Sequence, residues 1–215
     1  MRVCFFKLCC LLATMLLRPM ANLDMADLNI DVPADKGLIL VSNHRSIVDI
    51  LVGLAIFRRW GLMPRMFVKA SIFSIPGIGL LLRLLRAIPA SRETAREAIR
   101  AALNTLAQGG VIALAPEGRV PHAADRSDGV SELRSGVGRL AIEFGTPIIV
   151  VGITNTDAIW PLGSRFPRVR ARKASRPKVM VEFVRLDVVQ GASVTHVMAQ
   201  LRSVLSQVVV LAESH

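Results

Sequence analysis

Three short runs in this chain are apolar at almost every position: Gly37-Leu-Ile-Leu-Val-Ser42, Val111-Ile-Ala-Leu-Ala115 and Pro147-Ile-Ile-Val-Val-Gly-Ile153. A strand with one wet face alternates apolar and polar residues. A strand covered on both faces does not need to, so continuous runs of this length point to a sheet buried between two layers. Two more strand-like runs are Arg65–Ala70 and Lys178–Val184, and Ala87–Ala90 reads as a short edge strand because Pro89 has no N–H for a ladder. Helix-like stretches separate them. Ile47–Phe57 is one. Ala95, Ala98, Ile99, Ala102, Leu103 and Leu106 repeat at three- and four-residue spacing, with Ser91 as a possible cap and Gly109-Gly110 as a stop. Gly138–Phe144 and a closing helix from Val194 to Val208 follow. This alternation predicts an α/β fold with a mixed, largely parallel central sheet flanked by helices.

The segment ahead of the first strand is different. Cys4 to Leu17 is apolar except for Lys7 and Thr14, and it is bounded by Arg2 and by Arg18-Pro19. Fourteen residues fall short of the ~20 needed to span a bilayer. An interfacial helix with Lys7 snorkelling, a helix buried on the domain, and a marginal span or signal segment all fit. The division expected is therefore a membrane-anchoring segment, 1–36, ahead of a catalytic domain, 37–215. Cys4, Cys9 and Cys10 are the only cysteines, which excludes a disulfide scaffold.

Charge adds a second constraint. The 215 residues carry 27 Lys and Arg against 16 Asp and Glu, a formal net charge of +11 with 52% hydrophobic residues. Disorder is excluded by the apolar fraction. Tyr is absent, and stacking aromatics are the usual companions of basic nucleic-acid-binding surfaces, so no nucleic-acid partner is expected. Apolar and basic together point to an anionic membrane surface or an anionic lipid ligand.

Three local patterns carry chemistry. In Val41-Ser-Asn-His-Arg-Ser-Ile-Val-Asp-Ile50, His44 and Asp49 follow a buried strand five residues apart. They pair if His44 lies in the strand-to-helix turn and Asp49 opens the helix. An imidazole oriented by a carboxylate is a general base for a hydroxyl. Ala115-Pro-Glu-Gly-Arg119 also follows a strand; Gly118 lets a ligand approach the backbone, and Arg119 can fork onto phosphate oxygens. Arg92 stands at a helix start, a place that favours anions. Pro116–Arg134 is a polar loop long enough to suggest a function. His122, His196 and His215 form no ligand-spaced set, so no metal is expected.

In this order and spacing, the three patterns resemble those of the lysophospholipid acyltransferases, above all bacterial 1-acylglycerol-3-phosphate acyltransferases. Asn43, His44 and Asp49 are similar to the family's Asn-His-x4-Asp motif. Phe67–Gly79 resembles the segment between the first two blocks, Arg92 the Arg that ends the second, and Pro116–Arg119 the Pro-Glu-Gly block. Leu133–Ala141 and Pro147–Ile153 continue the likeness. Three positions depart from the pattern: Ala115 stands where Phe is usual, Arg86 where Gly is usual, and Arg119 follows Gly118 without the usual intervening residue.

The resemblance implies acyl transfer from an acyl-CoA or acyl carrier protein thioester to the hydroxyl of a lysophospholipid, with no cofactor beyond that co-substrate. His44 would be the base and Asp49 its orienter. Asn43, Arg92, Glu117, Gly118 and Arg119 would bind substrate, with Lys69 and Arg134 as further anion contacts. Another acceptor, or a non-catalytic basic lipid-binding protein, are the alternatives. The implied location is the cytoplasmic face of the membrane, on a phospholipid surface. Seven basic residues between Arg165 and Lys178, with no acid among them, fit anionic headgroups, an acidic carrier protein or nucleic acid. Ile72–Leu85 is read as acyl-site lining, bilayer contact or core.

Overall fold

A computed structural model describes residues 2–27, 37–170, 172–189 and 191–214. The elements in chain order are α1 (Arg2–Leu17), β1 (Asn22–Met25), β2 (Leu38–Ser42), α2 (Asp49–Trp60), β3 (Arg65–Lys69), α3 (Ile78–Leu84), β4 (Ile88–Ala90) and α4 (Ala95–Leu106). Then come β5 (Val111–Leu114), α5 (Gly136–Phe144), β6 (Ile148–Ile153), α6 (Thr156–Ile159), β7 (Lys178–Leu186) and α7 (Val194–Glu213). The strands form one seven-stranded sheet in the order β1-β7-β6-β2-β5-β3-β4. The block β6-β2-β5-β3-β4 is parallel throughout, β7 joins β6 antiparallel, and β1 lies parallel to β7.

The uninterrupted apolar runs are explained by the two-residue period of a strand. Leu38 and Leu40 of β2, with Ile149 and Val151 of β6, enter a core shared with α1 and α2. Ile39 and Val41, with Ile148 and Val150, enter the opposite core under α4, α5 and α7. All six residues of β6 are buried. β4 is the edge strand its proline requires. Helix α4 begins at Ala95 rather than directly after Ser91; the Ser91 hydroxyl accepts from the Thr94 N–H at 3.1 Å while Thr94 Oγ1 accepts from the Ser91 N–H at 3.1 Å. This reciprocal clasp closes a turn just ahead of the helix.

The N-terminal segment has two parts. Helix α1 has 16 residues, about 24 Å at 1.5 Å per residue, against ~30 Å of hydrocarbon. It lies on α2, burying Phe6, Cys10, Ala13 and Leu17, and leaves Leu8, Leu12 and Leu16 exposed. Burial pushes the Cys10 thiol up to about 11, which keeps it protonated and inert. After α1 the chain enters the sheet: Asn22–Met25, within the segment expected only to anchor, pair residue for residue with Lys178–Val181. The sheet thus recruits residues from ahead of position 36; the expected boundary itself falls among residues 28–36, outside the described residues.

Helix α7 is long and apolar enough to cross a membrane by length and composition. Its Val197, Leu201, Leu205 and Val209 are nevertheless buried in the core on β6 and β7. That approach depends on Gly152, where a Cβ would stand 2.8 Å from the Val208 carbonyl oxygen. Gly152→Ala is expected to cost about 1–3 kcal/mol in urea unfolding, because backbone must move. Gly53→Ala in α2, whose Cβ would meet nothing closer than 3.7 Å, is expected to gain about 0.5–1 kcal/mol from helix propensity alone. Equal effects at the two sites would contradict this packing.

Candidate active site

The site is built where parallel strands end. β2 and β5 pair with Val41 opposite Leu114, so the third residue beyond each, His44 and Glu117, emerge side by side. On the other flank Ser42 pairs with Val151, which brings Asn43 to Ile153. β3 and β4 pair with Lys69 opposite Ala90, placing Lys69 and Arg92 along the same C-terminal edge. From β2 to β4 is three strand spacings, ~14 Å, a span suited to an extended ligand.

His44 Nδ1 stands 2.7 Å from Asp49 Oδ2. The same oxygen accepts the backbone N–H groups of Arg45 at 2.6 Å and Ser46 at 2.8 Å. Asp49 opens α2, so its charge also faces a helix N-terminus. An ionised carboxylate offers only acceptors, so the Nδ1 facing it carries the proton and Nε2 is left as a free base. The two residues come together as expected, with His44 in the turn and Asp49 in the first helical position. Asp49 is buried, with a side chain 7% exposed, while that of His44 is 23% exposed and reachable from outside.

The loop around His44 is fastened on every side. Glu117 accepts the His44 N–H at 3.1 Å and the Ser131 hydroxyl at 2.8 Å. Asn43 donates to the Ile153 carbonyl at 2.8 Å and accepts the Ile153 N–H at 2.8 Å, imitating one more step of the β2–β6 ladder. Asn43 and Glu117 are both buried, so in this structure each holds the loop and presents little surface to a ligand. That differs from the substrate contact expected of them. The cause is register: both lie one to three residues beyond paired strand positions, where the neighbouring backbone is within reach.

Two arginines complete the fastening. Arg45 reaches Glu213 at the end of α7, at 2.5 Å. Arg126 pairs with Asp157 at 2.8 Å and donates to the carbonyls of Arg45 at 3.3 Å and Pro121 at 3.2 Å, joining α6, the long polar loop and the His44 turn. Nothing in the spacing of the sequence marks these contacts; the only sign of Arg126 is its place in an overlong polar loop.

The remaining basic residues stay on the surface. Arg119 is exposed and pairs with Asp125 at 3.1 Å. Arg92, Lys69 and Arg134 are exposed. Gly118 has φ +68°, and a Cβ there would lie 2.5 Å from Arg134 Nε, so glycine is required both by the turn and by the arginine packed on it. Among the described residues no cluster of His, Cys, Asp and Glu could hold a metal ion.

A layered α/β domain with an imidazole–carboxylate pair at the ends of its parallel strands defines a class of acid–base enzyme sites. The comparisons specify it further. The Acyltransferase family profile matches residues 28–154, more than half of the chain, and the chain belongs to that family. It is 24% identical over 155 residues to a chloroplastic 1-acyl-sn-glycerol-3-phosphate acyltransferase of Brassica napus, covering 71% of this chain and 43% of the relative. It is 24% identical over 134 residues to a chloroplastic enzyme of the same name from Arabidopsis thaliana, covering 61% and 35%. The chain thus spans less than half the length of these curated relatives. The fold is shared with the 1-acyl-sn-glycerophosphate acyltransferase PlsC from Thermotoga maritima, at a TM-score of 0.78 and 20% identity, over 100% of this chain and 82% of that one.

Burial pushes the Glu117 carboxyl above its ordinary value of 4.5, against the opposing pull of the Ser131 hydroxyl and the His44 N–H. A carboxyl with a raised folded pKa contributes stability that is full below its unfolded pKa and lost as pH rises through the folded value. Glu117→Gln removes this titration, while the amide can still accept from His44 and donate to Ser131. The melting temperature of the variant relative to wild type is expected to rise from about pH 4 to pH 7. A difference independent of pH would contradict the burial argument.

Proposed function

We propose that this protein transfers a fatty acyl group from a thioester, acyl-CoA or acyl carrier protein, to the free hydroxyl of 1-acylglycerol-3-phosphate, giving phosphatidate. The observation that carries the reading is the 2.7 Å contact between His44 Nδ1 and an Asp49 oxygen already fixed by two backbone N–H groups. Membership of the Acyltransferase family and the names of the curated relatives support the substrate class.

In this mechanism the acceptor hydroxyl gives its proton to His44 Nε2 as its oxygen attacks the thioester carbonyl. Asp49 holds the tautomer and stabilises the imidazolium that forms. The tetrahedral intermediate collapses with loss of the thiolate, which takes the proton back from Nε2. Arg92 and Arg119 hold the acceptor phosphate, with Lys69 and Arg134 adding to the positive field along the strand ends. Glu117 and Asn43 act as positioning residues for the His44 turn. No metal or prosthetic group has a part in these steps.

In this reading the reaction takes place at the cytoplasmic face of a membrane, and two features support membrane association. Leu8, Leu12, Met15 and Leu16 leave one side of α1 apolar and exposed. The arginine-rich segment is tied to the end of that helix: Arg176 donates to the Arg18 carbonyl at 2.8 Å, and Asn22 donates to the Lys173 carbonyl at 3.0 Å. An apolar helix with a basic cluster at its end is the two-signal arrangement that holds a protein on anionic lipid.

His44→Ala and Asp49→Asn are each expected to lower acyl transfer at least ~100-fold, the lower end of general-base contributions, with circular dichroism unchanged for His44→Ala. Purified protein is assayed against a panel of lysophospholipids with both kinds of thioester. Near-normal turnover in either variant overturns the mechanism. Preference for another lysophospholipid keeps the chemistry and replaces the acceptor.

A further inference from the structure

A second basic site lies away from the strand ends that carry His44. Arg65, Arg83 and Arg86, with Phe73, Ala87 and Pro89, line an open groove of about 410 Å³. Arg65 opens β3 and pairs with Ile112, which in turn pairs with Ile39, five residues short of His44. At ~3.3 Å per residue Arg65 is therefore ~16 Å down the sheet from the His44 turn and two strands across, while Pro89, paired with Val68, marks the other end of the groove on the far edge strand. None of its lining residues belongs to the site already described.

The Arg65 and Arg83 guanidinium groups are held by hydrogen bonds, and no carboxylate lines the groove. Arg65 donates from Nε to the Arg86 carbonyl at 2.9 Å and from Nη1 to Thr105 Oγ1 at 2.9 Å. Arg83 donates to the Phe73 carbonyl at 3.3 Å. Burial, and then the neighbouring Arg86 charge, lower the Arg65 pKa from its ordinary value, so positive charge here lacks compensation. Arg86 has φ +57°, a backbone region in which glycine is at ease and arginine is strained. An anion between these side chains would relieve the repulsion.

The rim of the groove is apolar. In α3, Leu80 is 60% exposed and Leu84 51% exposed, with Ile78 and Leu81 also exposed. Leu80, Arg83 and Leu84 stand three and four residues apart or adjacent, so the arginine rises from within the apolar face of the helix. Leu82 is buried on the opposite side and fixes the rotation of the helix.

We propose that the groove and the exposed face of α3 form a docking site for an anionic phospholipid of the bilayer surface. The α3 leucines enter the acyl region, and Arg65, Arg83 and Arg86 hold a headgroup phosphate at the boundary. The combination is what an interfacial site needs: apolar area to insert and cations at headgroup depth. The site requires nothing of the acyl-transfer reading, and it stands or falls by binding alone.

The test is co-flotation of the full chain with phosphatidylcholine vesicles, with and without phosphatidylglycerol. Each basic residue near an anionic surface contributes about fivefold in affinity, so Arg83→Gln with Arg86→Gly is expected to weaken binding to the anionic vesicles roughly 25-fold. Glycine suits the positive φ at position 86, so this pair removes charge without adding strain. Binding to neutral vesicles is expected to stay unchanged in the arginine pair and to fall with Leu80→Gln and Leu84→Gln. Melting temperatures are recorded for each protein. If the arginine pair does not fold, Arg83→Gln alone is expected to lose about fivefold. Anionic-vesicle binding within twofold of wild type in the arginine variant overturns the proposal. So does unchanged vesicle binding with a raised KM for the thioester, which would make the groove a donor-phosphate site.

Discussion

One oxygen atom organises the site. Asp49 Oδ2 accepts the His44 ring and the N–H groups of Arg45 and Ser46, so the residues between β2 and α2 wrap around a single carboxylate. Hydrogen bonds to a charged acceptor are about twice as strong as neutral ones, and burial strengthens them further. The arrangement also sets the chemistry. Because the carboxylate is fixed by the backbone before it meets the imidazole, it orients the ring without having to be ordered by it.

The rest of the fold keeps that turn in place. Parallel pairing brings Glu117 to one side of it and Ile153 to the other, and both neighbours use hydrogen bonds to hold it. Arg45 and Arg126 then tie it to the end of α7 and to α6. These contacts come from segments up to 168 residues apart in sequence. The sheet is what makes them neighbours, and a rigid sheet between two cores is what makes their geometry reproducible.

Much of this was legible in the sequence, for identifiable reasons. Residues Leu38–Val41 and Ile148–Ile153 had to be covered strands because no polar residue interrupts them, and both lie at the centre of the sheet. His44 and Asp49 were readable as a pair because five residues suit a turn leading into a helix. β1 was not readable: Asn22-Leu-Asp-Met25 has little apolar character, and its strand exists only through pairing with β7. The hold that Asn43 and Glu117 have on the His44 turn was not readable for a related reason. A polar residue in a motif suggests a ligand contact, but whether its hydrogen bonds are already satisfied by neighbouring backbone depends on register. Arg126 and Glu213 were invisible because long-range ion pairs leave no periodicity.

The central claim is that Asp49 fixes His44 with its proton on Nδ1, leaving Nε2 bare. Nitrogen NMR of the ring in the neutral form measures this directly. The account predicts that Nδ1 carries the hydrogen, with an Nε2 shift typical of an unprotonated imidazole nitrogen. It also predicts that this tautomer loses its dominance in Asp49→Asn. A neutral ring protonated on Nε2 in the wild-type protein would contradict it.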